Sequence, residues 1–199
     1  KKRRFWILLS LIGIGCVIGL QLYKRINTST SQTIGEVIDS LNGVPVYFNG
    51  GVDHVSGRTV SADGYNIGLN YQCVEFVKRY YYEYYHHKMP DSYGHAKSFF
   101  DPSIPDGKVN QQRNLIQYTN GSFSVPKIGD LIVFKGNIGN PYGHVAIISN
   151  VKEKEIEIIQ QNPGPHTSSR VRYKLVEKDG QYRIKNKRIL GWLRMIDSE

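Results

Sequence analysis

Between residues 130 and 195 the chain offers six apolar segments in succession: DLIVF (130–134), HVAIISNV (144–151), KEIEIIQQN (154–162), RVRYKLV (170–176), QYRIK (181–185) and ILGWLRM (189–195). Short turn-forming stretches such as KGNIGNPYG and EKDG separate them. Apolar, β-branched runs bounded by Gly, Asn and Asp read as strands, and connections this short suit an antiparallel meander. The strongest helix candidate lies well upstream, in YQCVEFVKRYYYEYY from Tyr71. Cys73, Phe76, Val77, Tyr80, Tyr81 and Tyr84 recur there with a 3.6-residue period, while Lys78 and Glu83 lie off that face. One helix followed by a sheet of about six strands is an α+β arrangement, and no internal repeat interrupts it.

The remaining segments are shorter and more polar. IGEVIDSL (34–41) reads as a short amphipathic helix with Thr33 as its cap, and VPVYF (44–48) as a strand. Loops occupy most of 49–70, and 86–125 is turn-rich with one short helix at AKSFF. At the start, Phe5–Leu22 runs eighteen residues without a charge. As a helix it would reach roughly 27 Å, close to the ~30 Å hydrocarbon core of a bilayer. The KKRR in front outweighs the Lys24-Arg25 pair behind, which keeps the N-terminus cytoplasmic and sends the rest across. A cleaved signal peptide would need a small-x-small site that QLYKR does not offer. A lipoprotein would use Cys16, but Gly13 stands where such signals usually carry Leu. The expected organisation is a single-pass membrane anchor at 1–25, a polar tether and leading helix at 26–42, and an extracytoplasmic domain at 43–199.

The net charge of +9 is concentrated at the ends of the apolar run: Lys1, Lys2, Arg3, Arg4, Lys24 and Arg25 fall in a stretch with no acid. Without those six the chain holds 20 basic and 17 acidic residues, +3, and no stripe of interleaved basic and aromatic residues, so nucleic-acid binding is set aside. Two cysteines, 16 and 73, form neither a disulfide framework nor a four-cysteine zinc site. Asp53, His54 and Asp63 make no convincing metal loop, and no cofactor is implied.

Cys73 opens the predicted helix, where free N–H groups and the positive end of the dipole favour a thiolate and could hold an oxyanion. A thiolate needs an imidazole partner. His54, His86, His87, His95 and His166 sit in polar loops or at a helix end, whereas His144 follows PYG and opens the apolar strand VAII. The neighbouring strand supplies Gln160 and Asn162, two apart and so on one face, and either amide could orient the ring. Glu157 has the opposite parity. The Tyr80–Tyr85 cluster reads mostly as helix packing, with some rings available to a groove; Trp192 reads as core, and Asp130 opens a strand through its turn.

Together, YQCVEFVKR, PKIGDLIVF, GHVAIISNV, QQN and ILGW resemble the CHAP family of cysteine- and histidine-dependent amidohydrolases and peptidases, and within it the amidase domain of glutathionylspermidine synthetase/amidase. The resemblance covers about residues 43–195. It implies a papain-like fold, Cys73 as nucleophile, His144 as general base, and a third position, commonly Glu in a Glu-x-Asn pattern, that falls on Gln160-Gln161-Asn162. Glu has become Gln here, which removes a charge that would stabilise imidazolium. Gln72 is implied as a helper to the Cys73 N–H in polarising the substrate, with Tyr71 as a further substrate-binding candidate. The acidic run before the cysteine, with which some members bind calcium, is missing. The implied chemistry is amide hydrolysis through a thioester. Peptidoglycan is the expected substrate, a glutathionylspermidine-type amidase the alternative, and a non-catalytic cell-wall or partner-binding domain the second alternative.

Overall fold

The computed structural model describes residues 2–28, 32–164 and 167–196. In chain order its elements are α1 (Lys2–Thr28), β1 (Val37–Leu41), β2 (Val44–Tyr47), β3 (Arg58–Val60), β4 (Asn66–Leu69), α2 (Cys73–Tyr84), a 3-10 turn (Ala96–Phe99), β5 (Lys108–Asn110), β6 (Leu115–Thr119), β7 (Leu131–Phe134), β8 (His144–Lys152), β9 (Glu155–Ile159), β10 (Arg170–Lys178), β11 (Gln181–Ile184) and β12 (Ile189–Arg194). The six strands expected after residue 130 are present. With β5 and β6 they make one antiparallel sheet of eight, in the order β11-β10-β9-β8-β7-β12-β6-β5.

Side chains alternate across this sheet, and both faces are dry. Leu131, Val133, Val145 and Ile147 pack with Phe76, Val77, Tyr80 and Tyr81 of α2. Ile132, Phe134, Ala146 and Ile148 point the other way, onto Ile156, Ile158, Leu175 and Trp192. Each such Val, Leu, Ile or Phe, fully buried, is worth ~1.5–3 kcal/mol. The second face is enclosed because the sheet curls until its ends meet. The Tyr182 N–H donates to the Ser122 carbonyl at 2.7 Å. The Asn120 side chain exchanges two hydrogen bonds with the backbone of Ile184, at 2.8 and 3.0 Å. Trp192 is fully buried, as expected, and the Asp130 carboxylate accepts the Lys127 N–H at 2.8 Å, which is the turn expected to open β7.

Four expectations fail, each for a local reason. The segment read as a leading helix is mostly β1: it pairs with β2 across Asn42 (φ 50°) and Gly43 (φ 83°), an Asn-Gly hairpin turn whose geometry overrides the apolar spacing. Thr33 and Glu36 form a tight turn there, with the Thr33 N–H donating to the Glu36 carboxylate at 2.9 Å. The expected loop at 49–70 contains the β3–β4 hairpin, turned by Asp63-Gly64. Lys78 is 1% exposed, because that hairpin and the 91–96 loop cover the helix face that periodicity left to solvent. His87, read as a surface residue, is buried, with Nε2 2.9 Å from the Arg113 carbonyl oxygen.

At the N-terminus α1 is continuous from Lys2 to Thr28. Trp6, Ile7, Leu11, Ile12, Ile14, Val17, Ile18 and Leu20 are exposed along it. Among the described residues no helix is long and apolar enough to cross a membrane. The side chains of Phe5, Leu8, Leu9 and Leu22, within the stretch read as a span, lie outside the described set, as do residues 29–31 of the tether and His166.

Candidate functional site

Two glycines bring the site together. Gly68 of β4 (φ 148°) lies so close to α2 that a Cβ would stand 2.9 Å from the Glu75 Cα, which seats the hairpin against the first turn of the helix. Gly143 (φ 81°) passes between β7 and the 3-10 turn, where a Cβ would come within 2.5 Å of the Phe134 carbonyl oxygen. The next residue, His144, is thereby delivered to the mouth of β8. A cleft of about 690 Å³ opens between these parts, and Cys73, His144, Gln72 and Asn162 all line it.

Cys73 is the first residue of α2, and Gln72 before it makes no side-chain cap bond, so the first-turn N–H groups keep their capacity. The Cys73 sulfur lies against three backbone N–H groups: its own, that of Val74 and that of Val145. Val145 directly follows His144, so the start of the helix and the start of β8 meet at the sulfur. The imidazole is fixed from behind. Its Nε2 is 2.9 Å from Oε1 of Gln160, whose own Nε2 donates to the Ser168 carbonyl at 3.0 Å. The second bond sets the orientation of the amide. Oε1 can only accept, so His144 donates through Nε2 and carries its free lone pair on Nδ1.

Burial acts against the thiolate expected at a helix start. Burial pushes the Cys73 thiol up, against the lowering effect of the N–H groups of Val145, Val74 and Cys73 itself. Burial also pushes His144 down to about 4, opposed by the Gln160 hydrogen bond and assisted by the positive charge of Arg188. Desolvation thus favours the uncharged thiol and imidazole over the dipole's preference for a thiolate, although both side chains are only partly buried where they line the cleft.

Gln160 and Asn162 do not share a face, since β9 ends at Ile159 and the backbone turns at Asn162 (φ 54°). Gln160 is the one that meets the imidazole. Asn162 instead donates to Oε1 of Gln72 at 2.8 Å and to the Val52 carbonyl at 2.9 Å. The Gln72 amide donates to the carbonyls of His54 (2.8 Å) and Val52 (3.3 Å), so its N–H groups hold the 52–54 loop and do not point a free donor at the sulfur. Tyr71 (φ 60°) packs its ring 5.2 Å from that of Tyr47, and its hydroxyl lies beside Gly35, outside the cleft wall. None of the Tyr80–Tyr85 rings lines the cleft; Tyr93 and Tyr142 do.

The residue that sequence reasoning passed over is Gln161. It is fully buried and uses its whole amide: Oε1 accepts from the Tyr47 N–H (2.8 Å) and Arg79 (3.4 Å), and Nε2 donates to the Gln72 carbonyl (3.0 Å) and to Glu75 (2.8 Å). Glu75 is paired in turn with Arg79 at 2.6 Å, and both are buried. Gln161 therefore ties β2 and the start of α2 to the strand end that carries Gln160. The available signal was a Glu–Arg pair at i, i+4 on a helix that turns out to be buried on both sides. Among the described residues, no group of three or more His, Cys, Asp or Glu could hold a metal ion.

The model of the CHAP domain matches residues 62–162. Trypanothione synthetase of Crithidia fasciculata is 29% identical over 144 residues, covering 71% of this chain and 22% of that protein. Bifunctional glutathionylspermidine synthetase/amidase of Escherichia coli (strain K12) is 31% identical over 138 residues, covering 64% and 22%. The chain thus spans about a fifth of the length of these curated relatives. A solved structure of Ly7917 with the hydrolyzing product of MDP overlaps 37% of this chain and 30% of its own, at 25% identity and a TM-score of 0.28.

Proposed function

Because the chain belongs to the CHAP domain family, we propose that it hydrolyses an amide bond, with Cys73 as nucleophile and His144 as general base. The observation that supports this reading is that Cys73 and His144 line one cleft, with the Val145 N–H bearing on the thiol and the imidazole Nε2 held by Gln160. As the sulfur attacks the carbonyl carbon, its proton moves to Nδ1 of His144, and the new oxyanion is met by first-turn N–H groups of α2. The C–N bond then breaks, imidazolium protonates the departing amine, and a thioester remains. His144 next takes a proton from water, hydroxide adds to the thioester, and the carboxylic acid leaves as the sulfur regains its proton. Gln160 keeps the ring in one tautomer throughout. It is neutral, so the imidazolium exists only in passing.

The substrate we propose is a peptide amide of peptidoglycan. The exposed apolar row on α1, with basic residues at both ends, supports a membrane anchor that sets the domain outside the cytoplasm. The names of the relatives support a second reading, release of an amine from a glutathionylspermidine-type conjugate. The deciding experiment incubates the full chain in detergent with purified sacculi and, separately, with glutathionylspermidine. New amine termini from sacculi, absent with Cys73→Ala, are expected. Spermidine release instead would establish the second reading, and no product from either would leave a non-catalytic binding domain.

A further inference from the structure

The cleft has a second wall, beside the nucleophile, whose charge the chemistry above does not use. Arg58 of β3 lines it, opposite Leu69 in the β3–β4 register and so close to the start of α2. Its Nη1 donates to the Asn66 side chain at 2.6 Å, and its guanidinium lies 5.8 Å from the centre of the Tyr93 ring, itself 66% exposed on the cleft wall. No ion pair engages Arg58 among the described residues. Behind it stand two buried cations. Lys78 donates to the backbone carbonyls of Asn66 and Ser92 (2.7 Å for Ser92), and both residues line the cleft. Arg113, fully buried, donates to the carbonyls of Asp91 (2.5 Å) and Ser98 (3.3 Å). The carboxylate beside this group is Asp91, 3.9 Å from Arg113. Burial, then the nearby charges of Arg113 and Arg58, push Lys78 down to about 8, with Asp91 acting against them. Among the side chains lining the cleft, Asp53 is the single carboxylate.

We propose that Arg58, seated on Tyr93 and backed by Lys78 and Arg113, is a carboxylate-binding subsite, so that the amide cleaved belongs to an anionic substrate. A guanidinium tethered through one nitrogen keeps donors for a bidentate carboxylate, and the ring beneath it restricts its orientation. The excess positive charge behind the wall, in a poorly solvated region, favours an anion there and opposes a polyamine. This inference rests on the amide-hydrolase reading and names the class of substrate within it.

The test uses the full chain with two forms of one purified muropeptide: one with its carboxylates free, and one with them converted to carboxamides by carbodiimide and ammonia. Wild-type protein is expected to favour the free acid at least tenfold in kcat/KM, chiefly through KM. In Arg58→Gln that ratio falls to about one, and Arg58→Lys, which keeps charge but loses the fork, lies between. A wild-type ratio near one, or an Arg58→Gln variant that keeps the wild-type ratio, overturns the subsite while leaving amide hydrolysis in place. Failure of the wild-type protein to cut either form, or cleavage that survives Cys73→Ala, counts against the hydrolase reading itself. Thermal melts of both Arg58 variants confirm that folded protein is compared.

Discussion

The two walls of the cleft solve opposite problems. On the side of Cys73 and His144 the hydrogen-bonding groups are neutral, an amide oxygen and backbone N–H groups, and the nearest charge that acts on the imidazole is that of Arg188. On the side of Arg58 three cations face one nearby carboxylate. The difference teaches where charge is useful. Proton transfer between sulfur and imidazole proceeds in either direction when neither ionised form is locked in place, whereas holding an anionic substrate calls for a standing field.

Variants can break or sharpen this division. The largest effect is expected from His144→Ala, which on the proposed mechanism removes the proton acceptor and should lower kcat/KM by roughly 10²–10⁴; progress curves on whichever of sacculi or glutathionylspermidine the wild type cleaves read it. Gln160→Glu tests the neutrality of the catalytic wall directly. A carboxylate on Nε2 favours imidazolium, so Cys73 should alkylate with iodoacetamide about tenfold faster at pH 6 than in the wild type, whose neutral pair reacts no faster than a free thiol. Equal rates would mean that the wild-type pair is already ionised. Gln161→Leu leaves the Tyr47 N–H and the Gln72 carbonyl without the side chain that meets them, and buried Glu75 with Arg79 alone, and should cost about 1–3 kcal/mol, measured from the urea midpoint. The pH dependence has a definite sign. His144 titrates at about 4 in the folded protein against an ordinary 6.5, so the unfolded chain binds the extra proton between those values. Stability is complete above pH 6.5 and falls as the pH drops toward 4, and His144→Ala should flatten that part of the curve. The smallest change belongs to the other wall: raising salt from 50 to 500 mM should increase KM a few-fold and leave kcat unaltered, because only the recognition field is screened.

What could be read beforehand divides along similar lines. The strands after residue 130 were legible because both faces are buried and their turns carry Asn, Asp and Gly. Cys73 and His144 were legible because each stands at the boundary of a strongly patterned element. The hairpin at 37–47 is masked in the sequence because its apolar residues fall at helical spacing, although Asn42-Gly43 marks its turn. Lys78 was misplaced for another reason: a helix period reports one buried face, and the second comes from a hairpin packed on it through Gly68. Gln160 and Asn162 were placed on one face by strand parity, which lapses where the strand ends at Ile159. The same lapse turns Gln161 inward.

The stitching of Ser122 to Tyr182 has an effect that reaches past the single molecule. An open row of strand N–H and C=O groups invites a neighbouring chain to add its own strand, and a domain held at high density on a surface would meet such neighbours constantly. Here one end of the sheet is occupied by its own opposite side, and the other ends in β5, three residues long and begun by exposed Lys108. The ends of the eight-stranded ladder therefore offer a newcomer little to continue, and the other strand edges among the described residues belong to the short β1–β2 and β3–β4 hairpins.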